Sequence, residues 1–453
     1  MATPQCNRDG FATRLGVLTA TLGSAVGLGN IWKFPYMTGE HGGATFLVVY
    51  ILATLVVGLP VMISEIMLGR YGKANVIATW RKLTPNRIWT LVGVGGVVAA
   101  VALMAFYTGV VGWVFSYVVK AVSGQLNTTD PDVASAVFGG MVSNTWGALG
   151  WQWLVLALVS VIIIAGVSKG IEKVTKTLMP ILFIMLLIVC ARSLTLPKAS
   201  QGLAFLFTPD FSKVTVDVVY MALGLAFFKL SLGVGTMMTY GSYFRDDANI
   251  PMTATRVMLA DLTVSLLAGI AIFPAVFNYG FEPAAGPGLL FMTIPAVFSS
   301  MPGGQLFMSI FFILTAIATI GAMLSIIEVP VAFMTETWAG CSRKTATIAT
   351  SLVLALFGVP ATLSFGVMAD TTFFGKTVFD CYDFLSSNIL MPSVGLCLCV
   401  FVGWFWGKDH VTKALSNNGM LDNATLSGIY FTLVRFVSPV LVAIVLLKGL
   451  NVF

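Results

Sequence analysis

The sequence predicts an all-α integral membrane protein of eleven transmembrane helices, built as a five-plus-five inverted repeat with broken first and sixth helices. Three observations carry this. Of 453 residues, 57% are hydrophobic and 10% charged, with a mean hydropathy of +0.93, which excludes a water-soluble globular chain. Apolar runs of membrane-spanning length recur throughout. Two of these runs, five helices apart, are interrupted by glycines near their centres.

The first run, residues 11–38, contains Ser24-Ala-Val-Gly-Leu-Gly-Asn30. Glycine costs a helix roughly 1 kcal/mol against alanine, and asparagine competes for backbone hydrogen bonds. Freed backbone groups at membrane depth are tolerated only inside protein or against a watery cavity. The break therefore predicts a binding site. Further spans are expected at 43–70, 88–121, 151–168 and 172–195, then at 214–243, 251–280, 305–338, 343–364, 376–406 and 426–450. The sixth breaks at Ser231-Leu-Gly-Val-Gly-Thr236. Two glycine-interrupted helices, each leading a set of five, point to inverted repeats around a midplane site. Residues 1–453 then form a single domain, with repeats at 11–195 and 214–406 and an additional helix at 426–450.

Arg8, Arg14, Arg70, Lys73, Arg81, Lys82, Arg87, Arg343, Lys344, Lys408 and Lys413 fall on one side of these spans, against few on the other. The asymmetry predicts a multi-pass protein of the plasma (inner) membrane with a cytoplasmic N-terminus and an outer C-terminus. Only Lys229 and Arg435 sit well within spans, and Arg435 has no reading from sequence. The segment from Gly170 to Pro180 lacks one backbone donor at its proline, so it is expected to unwind during inward opening, with a static kink as the alternative. The outer stretch 282–295 is expected to dip as a lid into a vestibule.

Six scattered cysteines form no CxxC, and His41 and His410 are the only histidines. Neither a metal site, a disulfide nor an enzyme is expected. Gly27-Leu-Gly29 follows no strand and is no dinucleotide fingerprint. No nucleic-acid partner is implied.

Several stretches resemble the neurotransmitter:sodium symporter family, the group with the LeuT-type fold. They are Val26-Gly-Leu-Gly-Asn-Ile-Trp-Lys-Phe-Pro-Tyr36, Gly58-Leu-Pro60 with Glu65, Gly69-Arg-Tyr-Gly72, Ala226-Phe-Phe-Lys-Leu-Ser-Leu-Gly233 and Gly286-Pro-Gly288. The resemblance implies a secondary transporter of small amines or amino acids working by alternating access. Gly27 stands where monoamine carriers have aspartate, which implies an amino-acid substrate. Its carboxylate would meet the N–H groups of Leu28 and Gly29 and the hydroxyl of Tyr107. Its amine would meet the carbonyls of Ala25 and Phe228 and the hydroxyl of Ser231. Leu103, Phe228, Val234, Ala322 and Ile326 would surround a neutral, hydrophobic side chain. Lys33 with Asp383 match an outer gate, Arg8 with Glu336 an inner one, and Phe228 with Tyr107 a thin lid.

The ion sites depart from the pattern. Lys229 occupies a family position for a hydroxyl ligand of the first sodium, and Asp261 falls where relatives place an asparagine ligand of that ion. A charge at mid-membrane needs a partner, so Lys229 is expected to pair with Asp261, with Asn30 beside them, and to replace the sodium. At the second site the two family hydroxyls align with Gly321 and Ala322, which leaves the carbonyls of Gly23 and Val26 as a poor cage; Thr319 and Ser325 are nearby alternatives. Leu225 stands where chloride-linked relatives have glutamine. Sodium coupling is thus expected to be lost or altered, with no cofactor. Two mechanisms stay open: Lys229 as a proton carrier, or as a permanent sodium substitute in a facilitator or exchanger. The rival functions are a conventional sodium-coupled symporter and a transport-dead amino-acid sensor.

Overall fold

The computed structural model describes residues 10–283, 286–450 and 452. Among them, nine helices are long and apolar enough to cross a membrane. In chain order they are Ala44–Gly72, Arg87–Val122, Thr145–Ile164, Val167–Leu194, Ile250–Tyr279, Gly304–Thr337, Arg343–Leu363, Val378–Trp406 and Ala424–Gly449. A broken first span, Arg14–Ala25 and Gly29–Glu40, bends by 50° at its gap. A broken sixth, Val216–Lys229 and Thr236–Ser242, completes the eleven. The fourth span starts earlier than the sequence suggests because the side chain of Asn144 accepts the Gly147 N–H and caps it there. Gly166, at a φ of 99°, turns the chain sharply into the fifth span.

Both breaks are held by neighbours rather than left to themselves. Val26 is extended, with φ −84° and ψ 109°, so the first helix stops where the sequence placed its glycines. In the sixth, Ser231, Gly233 and Gly235 all adopt positive φ, a conformation that costs glycine little. A Cβ at Gly233 would strike the backbone of Met391. The freed Gly233 N–H donates to Glu65 Oε1 of the second span at 2.7 Å. The two breaks also meet: Ser231 Oγ donates to the Ser24 carbonyl at 3.0 Å.

Around this centre, the eighth span packs along the third and along the first half-helix. Its most apolar window is 83% buried, against 33% for the fifth and eleventh, which therefore face outward. Within the stretch expected to form a lid, Phe291 is buried against Trp32, Trp113 and Tyr117. The stretch between Gly170 and Pro180 is fully wound here, π-helical to Glu172 and α-helical from Lys173. Its end is tied down: Glu172 accepts the Ala12 N–H at 2.7 Å and the Thr13 hydroxyl at 2.8 Å. Arg435, which had no reading from sequence, lies in an aromatic cluster. Its guanidinium is 4.5 Å from the Trp404 ring and 5.4 Å from Phe436.

Candidate substrate and ion site

The gap in the first span brings backbone donors and a hydroxyl together. The Leu28 N–H points to Tyr107 Oη at 3.5 Å, and the Gly27 N–H donates to Asn30 Oδ1 at 3.2 Å. A Cβ on Gly27 would lie 3.1 Å from the Ala322 Cβ and 3.4 Å from the Tyr107 hydroxyl. A side chain there would have to push these neighbours back by a few tenths of an ångström, so Gly27 keeps the backbone of the break close to Tyr107 and Ala322. Ala25, Leu103, Ser231, Val234, Ala322 and Ile326 are all buried. Ser231 is engaged with the Ser24 carbonyl, and the Phe228 carbonyl accepts the Ser231 N–H at 3.2 Å.

Above lies a cavity of about 360 Å³ whose floor includes Leu28, Tyr107 and Phe228 and whose walls are largely aromatic. Lys33 and Asp383 both face it but do not pair among the described residues. Lys33 Nζ sits 4.0 Å over the Phe228 ring, while Asp383 Oδ1 accepts from Ser387 Oγ at 2.7 Å. The expected outer ion pair is therefore open, with the ammonium drawn to a ring face instead. On the opposite side Glu336 accepts from the Asn75 N–H at 2.7 Å and from Asn75 Nδ2 at 3.0 Å. Its expected partner Arg8 lies outside the described residues.

Lys229 and Asp261 form the ion pair expected of them, 3.1 Å apart with both side chains fully buried. The ammonium has three acceptors for its three donors: Asp261, Tyr50 Oη at 2.7 Å, and Ser265 Oγ. The phenyl ring of Phe34 lies 5.3 Å away. Asn30 Nδ2 donates to Asp261 Oδ1 at 2.7 Å, to the Asp261 carbonyl at 3.1 Å and to Ser265 Oγ at 3.1 Å. A Cβ on Gly29 would come within 2.9 Å of the Lys229 Cγ, so this glycine makes room for the lysine stem. Tyr50 and Ser265 were not singled out from sequence. Ser265 was legible, four residues after Asp261 on one helix face. Tyr50 comes from another span, and nothing local marks it.

At the first family position for sodium a tethered ammonium holds the acceptors. At the second, Gly321 and Ala322 carry no side-chain oxygen. A Cβ on Gly321 would lie 2.6 Å from the Gly23 carbonyl oxygen, so the first and eighth spans meet backbone to backbone. Thr319 and Ser325 hydrogen-bond back to their own helix, at 2.7 and 2.8 Å. No group of three or more His, Cys, Asp or Glu able to hold a metal occurs among the described residues.

The family model for the sodium:neurotransmitter symporter family matches residues 8–135 and 140–453. The chain belongs to this family. It is 38% identical to an uncharacterized sodium-dependent transporter, YhdH, of Bacillus subtilis, with 98% of both chains covered. An uncharacterized sodium-dependent transporter of Haemophilus influenzae is 35% identical, over 99% of this chain and 100% of its own. Among solved structures, MhsT in complex with L-phenylalanine superposes with a TM-score of 0.89 at 38% identity, covering 98% of this chain and all of the other. The fold is thus of the LeuT type, and the protein is a multi-pass member of a transporter family rather than of an enzyme family.

Proposed function

We propose that the protein is a secondary transporter of neutral, hydrophobic amino acids in which the Lys229–Asp261 pair stands permanently in place of the first sodium. The observation that carries this is the saturated ammonium: three N–H donors, three buried oxygens and one carboxylate to balance the charge. This complete set of hydrogen bonds fixes the ammonium in one place, which favours the tethered cation over the proton carrier.

The substrate reading rests on Gly27, Tyr107 and the apolar lining. A carboxylate beside Gly27 would take the Leu28 N–H, now turned to Tyr107, together with the phenol itself. Such fixed donors suit an anion in a water-poor site. Buried Leu103, Val234, Ala322 and Ile326 offer a side chain only dispersion and hydrophobic contact. The similar protein MhsT was crystallised with L-phenylalanine, which is in keeping with this lining. Phe228, half-buried beneath Lys33, would close over the bound molecule.

Exchange of labelled L-phenylalanine in proteoliposomes tests the function. Exchange with choline as the only cation is expected. Exchange that requires sodium would return the protein to conventional symport, and binding without any exchange would make it a sensor.

A further inference from the structure

We propose that the cavity at the lysine- and arginine-rich end of the second span binds the phosphate headgroup of an anionic phospholipid. The cavity, about 460 Å³, lies between that span's last turn and the short helix Lys408–Leu415. Arg70, Lys73, His410 and Lys413 line it, against one carboxylate, Asp246. This is a space of the size that takes a small polar ligand.

Its charge is not balanced from within. Lys73 Nζ pairs with Asp246 at 3.0 Å. Arg70 is buried, yet its guanidinium donates only to neutral oxygens: the Ala248 carbonyl at 2.7 Å, Asn417 Oδ1 at 2.7 Å, and the Ala414 carbonyl. Neither Arg70 nor Lys413 has an ion pair among the described residues. A buried cation hydrogen-bonded only to dipoles, sharing one carboxylate, Asp246, with two lysines, favours a further anion nearby.

The rim says which kind of anion. Tyr71 is exposed, and its ring meets Trp406 at 5.4 Å edge to face. Trp406 in turn stacks on His410 at 5.6 Å. Trp404 and Phe405 continue this band, also exposed. Aromatic side chains at the ends of spans mark the headgroup level of the bilayer, and basic pockets between helices at that level take anionic headgroups. A soluble phosphate would use the cations but gain nothing from Met67 and Tyr71, which also line the cavity. A lipid would use both.

The test uses the purified full chain in neutral detergent, with thermal stabilisation read against dihexanoylphosphatidylglycerol, dihexanoylphosphatidylcholine or inorganic phosphate. Stabilisation by the glycerol lipid and not by the choline lipid is expected. Lys413→Gln should weaken the glycerol lipid by roughly 5-fold and Lys413→Glu by roughly 30-fold, with melting in lipid-free detergent unchanged because Lys413 is exposed. Equal effects of the two lipids, or full affinity in both variants, would overturn the proposal. Inorganic phosphate as potent as the lipid would show a soluble-anion site instead.

Discussion

The two core positions where the family resemblance places sodium are filled in opposite ways. At the first, charge is added: a lysine and an aspartate fill the space, and five side chains from four spans share the hydrogen bonds. At the second, side chains are removed, and Gly23 meets Gly321 almost at backbone contact. Both arrangements are closed by the protein's own atoms. They differ in fragility. A charged pair in a buried site depends on each partner, whereas a glycine contact depends only on nothing being added.

That contrast sets the order of expected effects. Removing one charge, by Lys229→Ala or Asp261→Asn, should be the most damaging. An uncompensated buried charge costs ~3–5 kcal/mol, which should appear as a large fall in melting temperature and loss of amino-acid binding. Lys229→Thr with Asp261→Asn removes both charges and restores hydroxyl and amide oxygens. This double variant should melt above either single one and should gain stabilisation from sodium. A folded but sodium-blind double variant would break the comparison at its first half.

At the glycine contact, Gly321→Ser should cost roughly 1–3 kcal/mol through overpacking, seen in the denaturation midpoint, with no sodium response of its own. A stabilised, sodium-responsive Gly321→Ser would mean that the second position still admits a cation. The smallest effect is expected at Lys33, above the aromatic cavity. Lys33→Gln removes a cation–π contact of the order of 0.5–1 kcal/mol, so substrate affinity should shift by only a few-fold, measured by equilibrium binding.

Much of this was legible from the chain. Helix number, both breaks and the need of Lys229 for a partner follow from local rules: apolar length, glycine in a helix, and the cost of a lone charge in hydrocarbon; that the partner is Asp261 came from the family resemblance. What stayed hidden was tertiary. Tyr50 reaches Lys229 from 179 positions away, and Glu65 secures Gly233 from 168. The gate pairing of Lys33 with Asp383 was expected from resemblance, but pairing depends on conformation, and here each has another partner. The aromatic surround of Arg435 likewise needs Trp404 from the tenth span.

The measurement that bears most directly on the tethered ammonium is calorimetric titration of L-phenylalanine into the wild-type protein, once in sodium chloride and once in choline chloride. Equal affinity in the two salts is expected if Lys229 already does the work of the ion. Binding that appears only with sodium would contradict it.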